Sequence, residues 1–183
     1  MKNHLINKVK FRSPKNQKEF DEYDFFRWKV LREPLGKKIE TLKDKFDKDS
    51  FHIMGLYNKV IIASGRVHFN NDNEAQIRYM AVDEAFRAQG IGKEVLKILE
   101  KYIKNNNAKK IILNARNDVI EFYKNSNYLA VEEYLGSDTG IPHTRMEKNY
   151  LKNEKVFIIF YYNSYFTLSS IKKNYLTCCL NIF

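Results

Sequence analysis

Arg87, Gly90, Gly92 and Lys93 fall within one short stretch, VDEAFRAQGIGKEVLK from Val82 to Lys97, spaced R-x-x-G-x-G-K. Residues of these types at this spacing can hold a pyrophosphate. Glycines remove side chains where a backbone must approach a ligand, and they leave successive N–H groups open. An amphipathic pattern begins just after them, and the unpaired amides and positive end of a helix start favour an anion. Arg87 and Lys93 add cations beside it. Two other phosphate motifs fit worse. A P-loop requires G-x-x-x-x-G-K-[ST], but Lys93 precedes Glu94 and the first glycine is misplaced. The dinucleotide fingerprint requires a third Gly or Ala, where this chain has Val95, and an acidic residue after the next strand, where none fits. An ordinary glycine turn ahead of a helix uses the same residues, so the hexapeptide alone leaves both readings open.

Other chemistries find less support. The 4 histidines and 2 cysteines lack ligand spacing, so no metal is expected, and no Ser-His-Asp or Cys-His arrangement can be argued. Cys178 and Cys179 are adjacent and cannot staple distant segments, which fits a reducing, cytoplasmic setting. The opening MKNHLINKVKF has no continuous apolar run of the kind a secretory signal needs.

The elements that must position the glycines follow from hydrophobic periodicity. Alternation over His4–Phe11 predicts a first strand. Phe20, Tyr23, Phe26, Val30 and Leu31 recur at helical spacing from Gln17 to Leu35, with Gly36 as a stop. Phe51–Tyr57 and Val60–Phe69, rich in β-branched and aromatic residues and separated by Asn58-Lys59, read as a hairpin. A turn at Asn70–Asn73 leads into a strand at Ala75–Val82. The helix that follows runs from about Gly90 to Asn105, with Ile91, Val95, Ile98, Leu99, Tyr102 and Ile103 as its apolar stripe. A strand at Ile111–Ala115, a short helix at Val119–Asn125, and strands at Tyr128–Leu135 and His143–Tyr150 complete a mixed α/β order.

With 183 residues, 44% of them hydrophobic and 14% aromatic, the chain can bury a proper core. Its net charge of +10 raises nucleic acid, an anionic membrane or a phosphate-bearing ligand as partners. The lysines are spread out, with only short pairs such as Lys37-Lys38 and Lys109-Lys110, so a solvated basic surface accounts for them. Neither nucleic acid nor a membrane is expected as a partner. From Leu151 the character changes. Val156–Ile171 is uncharged and aromatic-rich, but short for a membrane span of about 20 residues.

Three segments together carry a family likeness: IRYMAV (Ile77–Val82), RAQGIG (Arg87–Gly92) and EFYKNSNY (Glu121–Tyr128). In their order and spacing the chain resembles the GNAT superfamily of acetyltransferases. GIPH (Gly140–His143) with Met146, and VLREPLG (Val30–Gly36), resemble its small bacterial ElaA-type subgroup. The likeness covers about residues 3–150, giving an N-acetyltransferase domain there and an extension of unassigned role over 151–183. That extension has three readings: cover for a sheet edge, a homodimer contact, or no role.

The resemblance implies a central, mostly antiparallel twisted sheet of about seven strands flanked by about four helices. It implies acetyl-CoA as co-substrate, with the loop from Arg87 through Ala88, Gln89, Gly90, Ile91 and Gly92 to Lys93 on its pyrophosphate. The backbone of Met80 and Val82 would pair with the pantetheine arm, and an amide of Met80 or Ala81 would polarise the acetyl carbonyl. One such donor is worth roughly 3 kcal/mol in acyl transfer. Tyr123 stands where the family has the tyrosine that protonates the leaving thiolate, with Phe122 expected to face the core. The family's usual Asn or Gln against the pantetheine arm is Arg116 here, and its usual glycine after the helix is Asn127, the next-best left-handed cap.

The acceptor implied is the amine of a small molecule or peptide. An amine of pKa near 10 is only about 0.1% neutral at pH 7, so a base would help. Glu74, acting through water, His143 and His68 are candidates among which the sequence does not choose. The acceptor pocket is expected between Phe26, Trp28 and Leu31, the Arg66–Phe69 strand end and the Ser137–His143 loop. The other class of function compatible with these residues is a non-catalytic acyl-CoA-binding module with a regulatory or partner-binding role.

Overall fold

The computed structural model describes residues 5–150; the extension over 151–183 and its three readings lie outside the described residues, as does His4. The Asn58-Lys59 turn has both residues at positive φ (48° and 67°), the geometry that suits the right-handed twist of paired strands. It joins strands β2 (Phe51–Tyr57) and β3 (Val60–Asn71). Upstream of them, β1 (Lys10–Arg12) pairs antiparallel with β2, Lys10 facing Leu56. This strand is shorter than alternation predicts. The amides of Lys8 and Val9 donate to the carbonyls of Leu5 and Ile6, so a 3-10 turn over Ile6–Lys8 consumes groups a longer ladder would need.

Helix α1 (Gln17–Leu31) starts where the Asn16 side chain accepts the Glu19 amide at 3.0 Å. Pro34 cannot donate and restricts the residue before it, so the α-helix stops short of the expected Leu35 and continues as a 3-10 turn over Glu33–Leu35. Gly36 ends that turn at φ +65°.

The remaining elements are β4 (Glu74–Val82), α2 (Ile91–Asn105), β5 (Lys110–Arg116), α3 (Ile120–Lys124), β6 (Leu129–Tyr134) and β7 (His143–Asn149). They form a seven-stranded sheet in the order β1-β2-β3-β4-β5-β7-β6, with β4 and β5 parallel and the pairs β1–β2, β2–β3, β3–β4 and β6–β7 antiparallel. The described residues hold three α-helices rather than about four. Residues 37–50, between α1 and β2, contain only a 3-10 turn at Ile39–Leu42, because this Lys- and Asp-rich segment has few apolar residues to bury and is fastened by charge. Among the described residues no helix is long and apolar enough to cross a membrane.

The two faces of β3 position the two long helices. Ser64 and Arg66 face α1, whereas Gly65 faces α2, whose Ile91, Val95, Leu96, Leu99 and Ile103 are each at most 1% exposed. Each such side chain contributes roughly 1.5–3 kcal/mol on burial. A Cβ on Gly65 would lie 2.8 Å from Val95 and 2.9 Å from Leu99, so only glycine admits α2 this close. From the other side, the Tyr23 hydroxyl of α1 donates to the Gly65 carbonyl at 2.9 Å.

Candidate active site

Strands β4 and β5 pair only at Glu74↔Lys110, Ala75↔Ile111 and Gln76↔Ile112, although both continue, to Val82 and Arg116. Beyond Gln76 they diverge, and a cleft of about 540 Å³ opens at their upper ends. On the opposite edge β4 stays paired with β3, but with a bulge: Ser64 faces Ala81 and Arg66 faces Arg78, leaving Tyr79 and Met80 opposite Gly65. Tyr79 takes φ +54°, a strained conformation that costs about 1 kcal/mol or more for a residue with a side chain. Its carbonyl accepts the Ser64 hydroxyl at 3.2 Å.

Met80, Ala81 and Val82 line the cleft along the edge that β5 has left. Across its mouth runs the Arg87–Lys93 loop, which alternates into the left-handed region at Ala88 (φ +58°) and Gly90 (φ +84°), a shape that makes amides converge on a concavity. Gly90 is the N-cap of α2 without a side-chain cap. The first intrahelical bond is from the Glu94 amide to the Gly90 carbonyl, so the amides of residues 91–93 precede it and point out of the helix start. Arg87, Ala88, Gly90, Gly92 and Lys93 line the cleft. Gln89 turns away, donating to the Ala85 carbonyl, and the Ile91 side chain is core; both serve the loop through backbone alone. Arg87 Nε donates to the Val82 carbonyl at 3.2 Å, so this carbonyl is already engaged.

Opposite the β4 edge stands α3. Tyr123 lines the cleft, only 8% exposed, with its hydroxyl 3.8 Å from the Met80 sulfur. Burial pushes its phenol pKa up, so the hydroxyl stays protonated and can act only as a proton donor near neutral pH. Phe122 does not face the core as expected. It also lines the cleft, within 3.6 Å of where a Gly92 Cβ would stand, and meets Tyr123 edge-on at 4.9 Å. Arg116 lies at the mouth, half exposed and held by Asp118 at 2.8 Å. Asn127 takes φ +65°, the left-handed cap its type allows.

The base candidates are not brought to this place. Glu74 begins β4, eight residues from Val82 and so roughly 26 Å away along an extended strand. It binds Lys110 at 3.2 Å and Asn70 at 2.8 Å, which ties strands together at their opposite end. His143 starts β7 with Nδ1 2.6 Å from the Ile141 carbonyl and is outside the cleft lining. His68 is 3% exposed and stacked on Phe46 at 4.2 Å, and burial lowers its pKa to about 4.

The expected acceptor pocket is likewise redrawn. Leu31 lines the cleft, but Phe26 is buried, Trp28 donates to the Lys37 carbonyl, and the Arg66–Phe69 segment is covered by residues 44–47. Arg27 and Arg66, both fully buried, share Asp47 at 3.2 and 2.7 Å, and Arg66 and Arg78 share Asp44 at 2.8 Å each. Burial raises both carboxyls, but the Arg66 hydrogen bonds and the Arg27 charge outweigh it and hold them below the ordinary value. The Tyr79 ring stands amid this network, with the guanidinium carbons of Arg27, Arg66, Arg78 and Arg32 at 4.7, 4.9, 5.1 and 5.9 Å from its centre. These cations hold the bulge residue in its strained conformation beside Met80.

Sequence reasoning singled out neither Tyr79, Arg32 nor Asp138. The signal available was a charged residue inside an otherwise apolar strand pattern, at Arg66 and again at Arg78.

The sequence profile described as the acetyltransferase (GNAT) family matches residues 9–128. The uncharacterized N-acetyltransferase YjcF of Bacillus subtilis (strain 168) is 27% identical over 135 residues, which is 74% of this chain and 96% of that protein. Among solved structures, Escherichia coli ElaA superposes with a TM-score of 0.60 at 19% identity, covering 77% of this chain and 99% of its own. An aminoglycoside 6'-N-acetyltransferase complexed with coenzyme A superposes with a TM-score of 0.62 at 13% identity, covering 78% of this chain and 96% of its own.

Proposed function

The chain belongs to the acetyltransferase (GNAT) family, an acyltransferase acting with an acyl-CoA, and from that premise we propose that it moves the acetyl group of acetyl-CoA directly to an amine in a ternary complex. The observation that carries this reading is one cleft joining three devices. They are the unpaired β4 edge at Met80–Val82, the left-handed loop at the start of α2, and the buried Tyr123 hydroxyl.

In this reading the amides of residues 90–93, with Arg87 and Lys93, hold the pyrophosphate, and Arg116 stands beside the arm or a phosphate. The β4 edge receives the pantetheine amides as a neighbouring strand would. Because the Val82 carbonyl already accepts from Arg87, the Met80 backbone and the Val82 amide supply most of this pairing. An amide of the bulge, that of Met80 or Ala81, donates to the acetyl carbonyl, where negative charge grows as the amine attacks. The amine nitrogen forms the C–N bond, the C–S bond breaks with its electron pair on sulfur, and Tyr123 gives its proton to that sulfur. Glu74 and His143 lie outside the cleft lining, so the amine attacks as its neutral form, its surplus proton leaves to water, and water returns a proton to Tyr123. The 3–150 domain holds all of these groups.

Titration calorimetry of acetyl-CoA into the protein and into Gly90→Glu tests the loop: binding lost in the variant is expected, and equal binding removes the assignment. Thiol release with a panel of amines tests transfer. A folded protein that binds acetyl-CoA but acetylates no amine would leave the non-catalytic module as the answer.

A further inference from the structure

Four guanidinium groups meet around Tyr79, Lys43 joins them through Asp24, and their carboxylate partners are not alike. Arg27, Arg66, Arg78 and Lys43 are answered by Asp24, Asp44 and Asp47. These lie on α1 or the segment packed beneath it, with side chains 10%, 23% and 16% exposed. Arg32 is different. Its side chain is 7% exposed, yet its carboxylate partner is Asp138, 59% exposed and borne on the β6–β7 loop between Gly136 and Gly140. One Arg32 nitrogen donates to both Asp138 oxygens, at 3.0 and 3.2 Å.

A buried guanidinium needs an anion, because desolvation without one is costly. The Asp138 end of this pair is solvated, so its carboxylate can leave and another can enter at little cost. With Asp138 withdrawn, the four arginines and Lys43 would face only three carboxylates, and Arg32 would have none. The place also suits an acceptor. Arg32 follows Leu31, Tyr79 precedes Met80, and both Leu31 and Met80 line the cleft. An anion on Arg32 would therefore sit beside the bulge that presents amides to the acetyl carbonyl.

We propose that Arg32 is an anchoring site for a carboxylate on the acceptor, and that Asp138 occupies this site until an amino acid or similar carboxylate-bearing amine displaces it. The identity of the ligand as an acceptor rests on the acetyl-transfer reading above; the carboxylate site itself does not.

The test measures binding and turnover separately on the full chain saturated with coenzyme A. The probes are α- and ω-amino acids, each beside its neutral amide, titrated calorimetrically and then assayed for thiol release with acetyl-CoA. The acids bind more tightly than their amides in the wild type. Asp138→Asn tightens acids by about tenfold, the scale of one charge-assisted hydrogen bond, and leaves amides unchanged. Arg32→Gln removes the preference, Arg32→Lys restores part of it, and undiminished acetyl-CoA binding reports that each is folded. If the Arg32 variants fail to fold, the acid-to-amide contrast in Asp138→Asn decides alone. Equal binding of acid and amide by Asp138→Asn overturns the site, even where other amines are acetylated. Preferential acid binding without thiol release from any amine keeps the site and removes the transfer reading instead.

Discussion

The two sides of the β4 bulge are built by opposite means. The proposed donor side is backbone: a strand edge, two left-handed residues and a helix start, all between Met80 and Lys93. The proposed acceptor side is charge, gathered from α1, residues 43–47, β3, β4 and the β6–β7 loop. A site made of amides is fixed by local chain geometry, and most side chains around it can vary. One made of converging ions fails as a whole when a member is lost, because each buried charge depends on the others.

That contrast can be broken most directly at Arg66. Replacing it with Met strips a shared partner from Asp44 and Asp47 and should cost about 3–5 kcal/mol, read by chemical denaturation. A loss below about 1 kcal/mol would mean the network does not act as a unit. On the donor side the corresponding loss is kinetic. Tyr123→Phe should lower turnover about a hundredfold while stability and acetyl-CoA affinity hold. Unchanged turnover would show that the thiolate takes its proton elsewhere.

A pH titration sharpens the comparison further. Burial, first, and the Arg66 charge hold the His68 pKa at about 4, below its unfolded value near 6.5. The unfolded chain therefore binds more protons between those values, so this contribution is complete above pH 6.5 and is lost as pH falls toward 4. Thermal melts should drop by several degrees across that window, and His68→Gln should flatten the slope; a parallel curve would exclude His68 as its source. The smallest effect is expected at Gly92. A Cβ there meets Val82 at 3.5 Å and Phe122 at 3.6 Å, ordinary contacts, so Gly92→Ala should melt like wild type and bind acetyl-CoA severalfold more weakly by narrowing the cleft. Unaltered affinity would show that the cleft has room to spare.

The same contrast explains what the sequence reveals. The β2–β3 hairpin, α2 and the loop before it were legible because turn residues, apolar period and glycine spacing are local signals, and the hairpin and α2 start where the pattern places them. The first strand is shorter than its alternation because the Lys8 and Val9 N–H groups choose a 3-10 turn, which alternation does not report. Phe122 faces the cleft and not the core, which the sequence does not report because a single-turn helix offers no period to tell the two apart. The partnership of Arg32 with Asp138 spans 106 positions, and no spacing rule connects them.

Gly65 gives the molecule a shared reference surface. Its missing side chain sets how near α2 comes, and its carbonyl sets where α1 hangs by Tyr23. One helix begins with the proposed pyrophosphate amides; the other ends at Arg32. A substitution at this interior position would therefore not enlarge or shrink either half-site alone. It would misalign them, as two rails shift when the tie between them is moved, and nucleophile and thioester would lose alignment with every contacting residue still in place.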